Sequence, residues 1–173
     1  MDDSRKFHFA PEAGDSAGSI MLKQPNSRDC FVCGLRNRYG LAIHFYSAGP
    51  GQVEANYTVP ARYQGYPGVV HGGVVAAMLD EIVGRVTMDE DPTHFLVTAK
   101  LEVRYRAPVP VGQSLLLKGR LKERRRNAYL ASADLRLPDG TRLADAEAVL
   151  MDYPGTLATP ELLETLGWRV YPE

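Results

Sequence analysis

One run of this chain reads as a helix, and the regular segments around it read as strands. From Gly72 to about Met88 the apolar residues recur at helical spacing. Val75, Met78, Leu79, Ile82 and Val86 fall on one broad stripe, and Asp89 to Pro92 ends the run. Before it come two short strand-like runs, Leu41 to Ser47 and Gln52 to Val59, separated by the turn-forming Ala48-Gly49-Pro50-Gly51. After it the pattern has period two. Val97, Ala99, Leu101, Val103 and Tyr105 fall on one face, and Thr98, Lys100, Glu102, Arg104 and Arg106 on the other, as in a half-buried strand. Ser114 to Arg124, Ala128 to Leu137 and Thr141 to Asp152 are three further strands, the last two joined by Pro138-Asp139-Gly140. Hairpin-length links imply an antiparallel sheet, and the single helix must cover one face of it, so the expected class is α+β.

The 173 residues suffice for one domain with a real core. Residues 1–24 are polar and without period and read as an arm, 25–155 as the domain, and 156–173 as a C-terminal extension. That extension holds a short helix from Pro160 to Leu166, stopped by Gly167. With 20 basic and 21 acidic residues, no global field draws the chain to nucleic acid or an anionic membrane. The longest apolar run, Val74 to Leu79, is far too short for a membrane span. The N-terminus lacks a basic-then-apolar signal pattern, so a cytoplasmic protein is expected.

Opposite the apolar stripe, the helix carries Gly73, Ala77, Asp80 and Gly84. These are small residues, which suit close approach by a second helix or a ligand. A carboxylate in the middle of that face is costly unless paired or hydrated. The plain alternative is a solvent-facing Asp on an amphipathic helix. Glu81 has Arg85 four residues on and reads as a structural ion pair. At the helix start, His71 stands where Ser, Thr, Asp or Asn is usual, and Gly72 and Gly73 follow. Free N–H groups there, without side chains to block access, suit an oxyanion or anion. The alternative is that the glycines only permit a tight turn. Gly72 and Asp80 lie roughly 12 Å apart along one helix axis. They cannot reach the same carbonyl from one helix, whereas two antiparallel helices about a two-fold axis would bring them together.

Gln64-Gly65-Tyr66-Pro67-Gly68-Val69-Val70-His71-Gly72-Gly73, with Asp80 nine residues after the histidine, resembles the signature of hotdog-fold acyl-CoA thioesterases of the phenylacetate-pathway (PaaI-like) type. The resemblance covers about Cys30 to Asp152. It implies a long central helix wrapped by an antiparallel sheet, in dimers or dimers of dimers. It implies that the N–H of Gly72 polarises a thioester carbonyl, next to His71. It implies Asp80 as general base or nucleophile and Thr98 as the strand hydroxyl that orients water or the carboxylate. It places Gln64 in the upstream polar role, although one subgroup has Asn where this chain has Gly65. No cofactor is implied beyond coenzyme A as part of the substrate.

Cys30-x-x-Cys33 is half of a zinc site, with His44 as a third ligand and no fourth. The favoured reading is two small cysteines in a packed turn, with no metal. Lys118, Arg120, Lys122, Arg124, Arg125 and Arg126 form a local basic run. Together with Gly73, Arg124, Arg125 and Arg126 are candidate contacts for coenzyme A phosphates, the alternative being a solvated hairpin end. Three other functions compete with acyl-CoA hydrolysis: a non-catalytic acyl-CoA sensor, a hotdog dehydratase or hydratase, and an oligomerisation domain.

Overall fold

A computed structural model describes residues 21–153 and 159–172. Strands β1 (Leu22–Lys23), β2 (Tyr46–Gly49) and β3 (Gln52–Thr58) precede helix α1 (Gly72–Val83). Then come β4 (Leu96–Tyr105), β5 (Ser114–Arg124), β6 (Tyr129–Arg136), β7 (Arg142–Asp152) and helix α2 (Pro160–Leu166). The seven strands form one antiparallel sheet in the order β1-β2-β3-β5-β6-β7-β4. The α+β architecture expected from the pattern is present, with α1 packed on one face of the sheet.

The helix stripe is the centre of the core. Val75, Met78, Leu79, Ile82 and Val86 are buried against Leu115 and Leu117 of β5, Ala131, Ala133 and Leu135 of β6, and Ala146, Ala148 and Leu150 of β7. Burial of these aliphatic side chains is worth about 1.5–3 kcal/mol each. Small residues on the sheet let the helix sit low. A Cβ at Gly119 of β5 would lie 3.0 Å from both the Cγ1 and the carbonyl oxygen of Ile82.

Four expectations are corrected. The helix stops at Val83 rather than near Met88, and 84–90 continue as turns closed by three-residue bonds such as Arg85 N–H to Ile82 O. The strand expected at 41–47 shrinks to Tyr46–Gly49. Leu41, Ile43 and Phe45 are buried, but their backbone partners are loop residues: Leu41 and Ile43 donate to Phe31 and Val32, and Phe45 accepts from Gln24. The arm expected over 1–24 already belongs to the domain by Leu22, because β1 pairs with β2 and Gln24 is buried; residues 1–20 lie outside the described residues.

The fourth correction concerns β4. A bulge between Thr98 and Lys100 makes Ala99 an extra residue. Leu101, Val103 and Tyr105 pair with Ala148, Ala146 and Ala144 on the helix-facing side, as expected. Beyond the bulge the alternation reverses. Thr98 pairs with Leu150 on the helix-facing side, whereas Val97 pairs with the exposed Met151. A strict period of two had put each on the wrong face.

The C-terminal helix forms as expected. The Thr159 side chain accepts from Leu162 N–H, Pro160 opens the helix, and Gly167 ends it with φ of +63°. It docks on the domain through an Asn26–Arg169 bridge. Arg85, only 1% exposed, stacks on the rings of Phe45 (4.4 Å) and Trp168 (5.3 Å) and donates to Pro25 O. Residues 154–158 lie outside the described residues.

Candidate active site

The structure places a carboxylate, a hydroxyl and a cavity together at the C-terminal half of α1. Asp80 is half-buried, and the Thr98 hydroxyl donates to its Oδ1 at 2.7 Å. Because of the bulge, β4 presents this hydroxyl to the helix rather than to the outer face. One carboxylate oxygen is thereby held, and Asp80 faces a cavity of about 850 Å³. Phe95, Leu96, Met88 and Trp168 give the cavity apolar walls, and Leu166 of α2 closes one side. Phe95 and Trp168 meet edge to face at 5.1 Å. The C-terminal extension thus supplies part of the wall, a role its sequence carried no sign of.

At the other end of α1, His71 caps the helix. Its Nδ1 accepts from Gly73 N–H at 3.0 Å, and its carbonyl accepts from Val74 and Val75. Histidine thus performs the task of the usual capping residues. The ring lies so close that a Cβ at Gly73 would stand 3.1 Å from Nδ1. Of the two glycine donors expected at this end, Gly73 N–H is already engaged. Gly72 N–H has no hydrogen-bond partner among the described residues, while the Gly72 carbonyl accepts from the Tyr105 hydroxyl at 2.9 Å. Tyr105 had shown only its face in the sequence, not this contact. Gln64 does not reach α1: its Oε1 accepts from Gly68 N–H at 3.2 Å, and its backbone bridges Val70. It closes the loop that delivers His71 to the helix start.

The basic run is at the β5–β6 hairpin. Arg124 pairs with Glu90 at 2.9 Å and Arg125 with Glu123 at 2.8 Å; Arg126 is exposed in the turn. Arg124 pairs across to Tyr129, Tyr129 to Leu150, and Leu150 to Thr98. Three strand spacings put Arg124 about 14 Å from Thr98, at the Asp80 end of the sheet.

The cysteines lie in a turn packed on the core, as the favoured reading expected, but the weighed third ligand does not join them. His44 is not beside them; its Nδ1 lies 3.1 Å from Asn26 Oδ1. Instead Cys30, Cys33 and Glu81 bring their ligand atoms within 4.8 Å of one another. Glu81 also makes the expected ion pair with Arg85 at 2.8 Å. The hydrogen bond to Cys33, burial and the Glu81 charge push the Cys30 thiol up, and the hydrogen bond from Cys30 brings Cys33 down to about 7. This grouping was missed because Glu81 is 48 residues from Cys33 and had a sufficient partner in Arg85.

The chain is similar to known proteins over this region. The Thioesterase superfamily family model matches residues 67–144, which include His71, Gly72, Asp80 and Thr98. A thioesterase superfamily protein of known crystal structure superposes with a TM-score of 0.66 at 30% identity, covering 73% of this chain and 61% of that one. A Streptococcus mutans protein bound to acetyl CoA superposes with a TM-score of 0.58 at 22% identity, over 64% of this chain and 88% of that one. Among curated proteins, the acyl-coenzyme A thioesterase THEM4 of Rattus norvegicus is 27% identical over 79 residues, 46% of this chain. The chain spans only a third of that relative's length. The matched segment is similar to the thioesterase superfamily, and the antiparallel sheet packed on one helix is the hotdog fold of these neighbours.

Proposed function

We propose that the chain is an acyl-CoA thioesterase, hydrolysing an acyl-CoA to a free carboxylic acid and coenzyme A. The observation that carries the reading is the Thr98–Asp80 hydrogen bond on the wall of an apolar-sided cavity. With Oδ1 held by Thr98, Oδ2 of Asp80 is left to take a proton from water. The oxygen of that water attacks the thioester carbonyl carbon. The developing oxyanion sits at an unoccupied helix N–H, that of Gly72. Collapse breaks the carbon–sulfur bond, and the thiolate of coenzyme A regains a proton. Attack by Asp80 itself, through an anhydride that water then opens, uses the same atoms.

Gly72 N–H and the Asp80 carboxylate are eight residues apart on one helix, about 12 Å. Each active site therefore draws its oxyanion donor from one chain and its carboxylate from another. Strand β4 supports this assembly. It is ten residues long and, among the described residues, pairs only with β7 and leaves its other edge open. A two-fold homodimer closing that edge also sets α1 against its copy, and such dimers can pair again. The neighbour bound to acetyl CoA supports coenzyme A as the carrier. In this reading Arg126, with the remaining donors of Arg124 and Arg125, meets its phosphates.

The test is release of free thiol from short, medium, long and aromatic acyl-CoAs by the purified chain. Hydrolysis of at least one is expected. Tight binding without hydrolysis would make the protein a sensor. Hydration of an enoyl-CoA in place of thiol release would make it a hydratase. Neither binding nor turnover would leave an oligomerisation domain.

A further inference from the structure

Beside Asp80 the cavity wall carries a second group of donors that hydrolysis does not use. Residues 30–34 fold into a compact knuckle. The N–H groups of Val32 and Cys33 point at Cys30 Sγ, at 3.3 and 3.4 Å, and Gly34 N–H bonds back to Cys30 O at 3.0 Å. There is no room for a side chain after the second cysteine: a Cβ at Gly34 would lie 2.2 Å from Cys30 O. Backbone donors aimed at sulfur stabilise the thiolate, the form that binds metal. The knuckle points its sulfurs at one turn of α1, where Glu81 Oε2 is 3.5 Å from Cys30 Sγ.

We propose that Cys30, Cys33 and Glu81 form a binding site for one zinc ion, with a fourth position open to the cavity. The spacing fits. With Zn–S near 2.3 Å and Zn–O near 2.0 Å, a tetrahedral angle separates sulfur from oxygen by about 3.5 Å. Two thiolates select a borderline-soft ion over magnesium or calcium. The charges balance as well. Two thiolates offset Zn²⁺, while Glu81 remains offset by Arg85 through its other oxygen, Oε1. Arg85 is itself held by Pro25 O, Phe45 and Trp168, so the third ligand arrives pre-oriented. The Ser27 hydroxyl, 3.5 Å from Cys33 Sγ, supports the second sulfur. All three ligand residues line the cavity that Asp80 faces, so the fourth position takes water there. Binding releases the thiol protons and ties the 26–34 loop to α1. The site stands independently of the hydrolytic reading.

The test uses the full chain, reduced and stripped with chelator, and titrated with Co²⁺ as an optical stand-in for zinc. The expected result is one Co²⁺ per chain, with near-ultraviolet thiolate-to-cobalt absorption and the visible bands of a tetrahedral ion. Zn²⁺ should bleach both and protect Cys30 and Cys33 from iodoacetamide. Cys33→Ser should weaken the charge-transfer band, and Glu81→Gln should keep it while lowering affinity about tenfold or more. Should a variant fail to fold, the wild-type spectrum still decides. Absence of a charge-transfer band, weak octahedral bands alone, or unprotected cysteines in the presence of zinc would overturn the site. So would unchanged cobalt affinity in folded Cys33→Ser and Glu81→Gln chains.

Discussion

At its N-terminal end α1 opens onto solvent: His71, Gly72 and Gly73 are all exposed, and among the described residues the side chain holding the Gly72 backbone is Tyr105. Eight residues on, Asp80 is half-buried, bonded to Thr98, and faces a cavity walled by the Cys30 knuckle, Phe95 and Trp168. One end is a bare donor on a cavity of about 480 Å³ lined by Tyr66, Val69, Tyr105 and Arg106, with no carboxylate among the described lining residues. The other is a pocket with a proton acceptor and no oxyanion donor. Neither is a complete site for acyl transfer, and the missing part of each is the other. That complementarity is a stronger reason for a dimer than the open edge of β4, because it concerns chemistry rather than packing.

The largest effects expected are those that remove one end outright. Asp80→Asn keeps the shape and the Thr98 contact but cannot take a proton. Thiol release should fall about 10²- to 10⁴-fold, with the circular dichroism spectrum unchanged. Gly72→Pro is the matching deletion at the other end. His71 already has the extended backbone that precedes proline, with φ of −59° and ψ of 133°, and proline is well tolerated at a first helical position. A Cβ there meets Tyr105 no closer than 3.5 Å. The substitution removes the N–H and little else, and should cost about 10²- to 10³-fold. Co-refolding the two variants in equal amounts then joins the ends. Half of the dimers are mixed and each regains one intact site, so about a quarter of wild-type turnover should return. No recovery, with mixed dimers present, would mean that each chain works alone and that the two ends are unrelated.

How far the sequence foretold this difference depends on the range of the contact. The helix stripe, the β5 to β7 meander and the α2 stop at Gly167 follow from period and turn chemistry, which are local. Gly72, His71 and Asp80 were found by their spacing on one helix. Thr98 was found only through family resemblance, since strict alternation had turned it away from Asp80. A bulge is one unpaired residue, and nothing in Val97-Thr98-Ala99-Lys100 marks it. The Cys30–Cys33–Glu81 group and the Trp168 wall were out of reach for another reason. They join segments 48 or more residues apart, and each residue had an adequate local explanation. Even Gly73, read as a second open donor, was taken by a histidine cap that residue preference does not anticipate.

A smaller effect sharpens the Asp80 end. If Thr98 holds one carboxylate oxygen so that the other faces water, Thr98→Ala should lower kcat about tenfold. KM should change less, because the hydroxyl touches the carboxylate rather than the acyl group. Thr98→Ser should restore most of the rate. A fall in kcat that serine does not restore would assign Thr98 to packing.

The smallest effect belongs to the Gly72 end, where the sheet provides the support. Next to Tyr105, Arg106 grips Asp145 of β7 with two bonds, at 2.6 and 3.1 Å, which hold the Asp145 carboxyl below its ordinary range. A carboxyl lowered in the folded state contributes stability above its unfolded pKa, near 3.9, and loses it as pH falls through the folded value. Arg106→Gln should therefore melt slightly below wild type at neutral pH. The gap should close as the pH drops below about 4, because both chains then carry a protonated Asp145. The gap should be small, since Arg106 is half-exposed and solvent screens the pair. A gap that persists at low pH would show that Arg106 supports Tyr105 by packing and not by charge. The contrast would then extend to how each end is held: a hydrogen-bonded carboxylate at Asp80, and side-chain contact alone at Gly72.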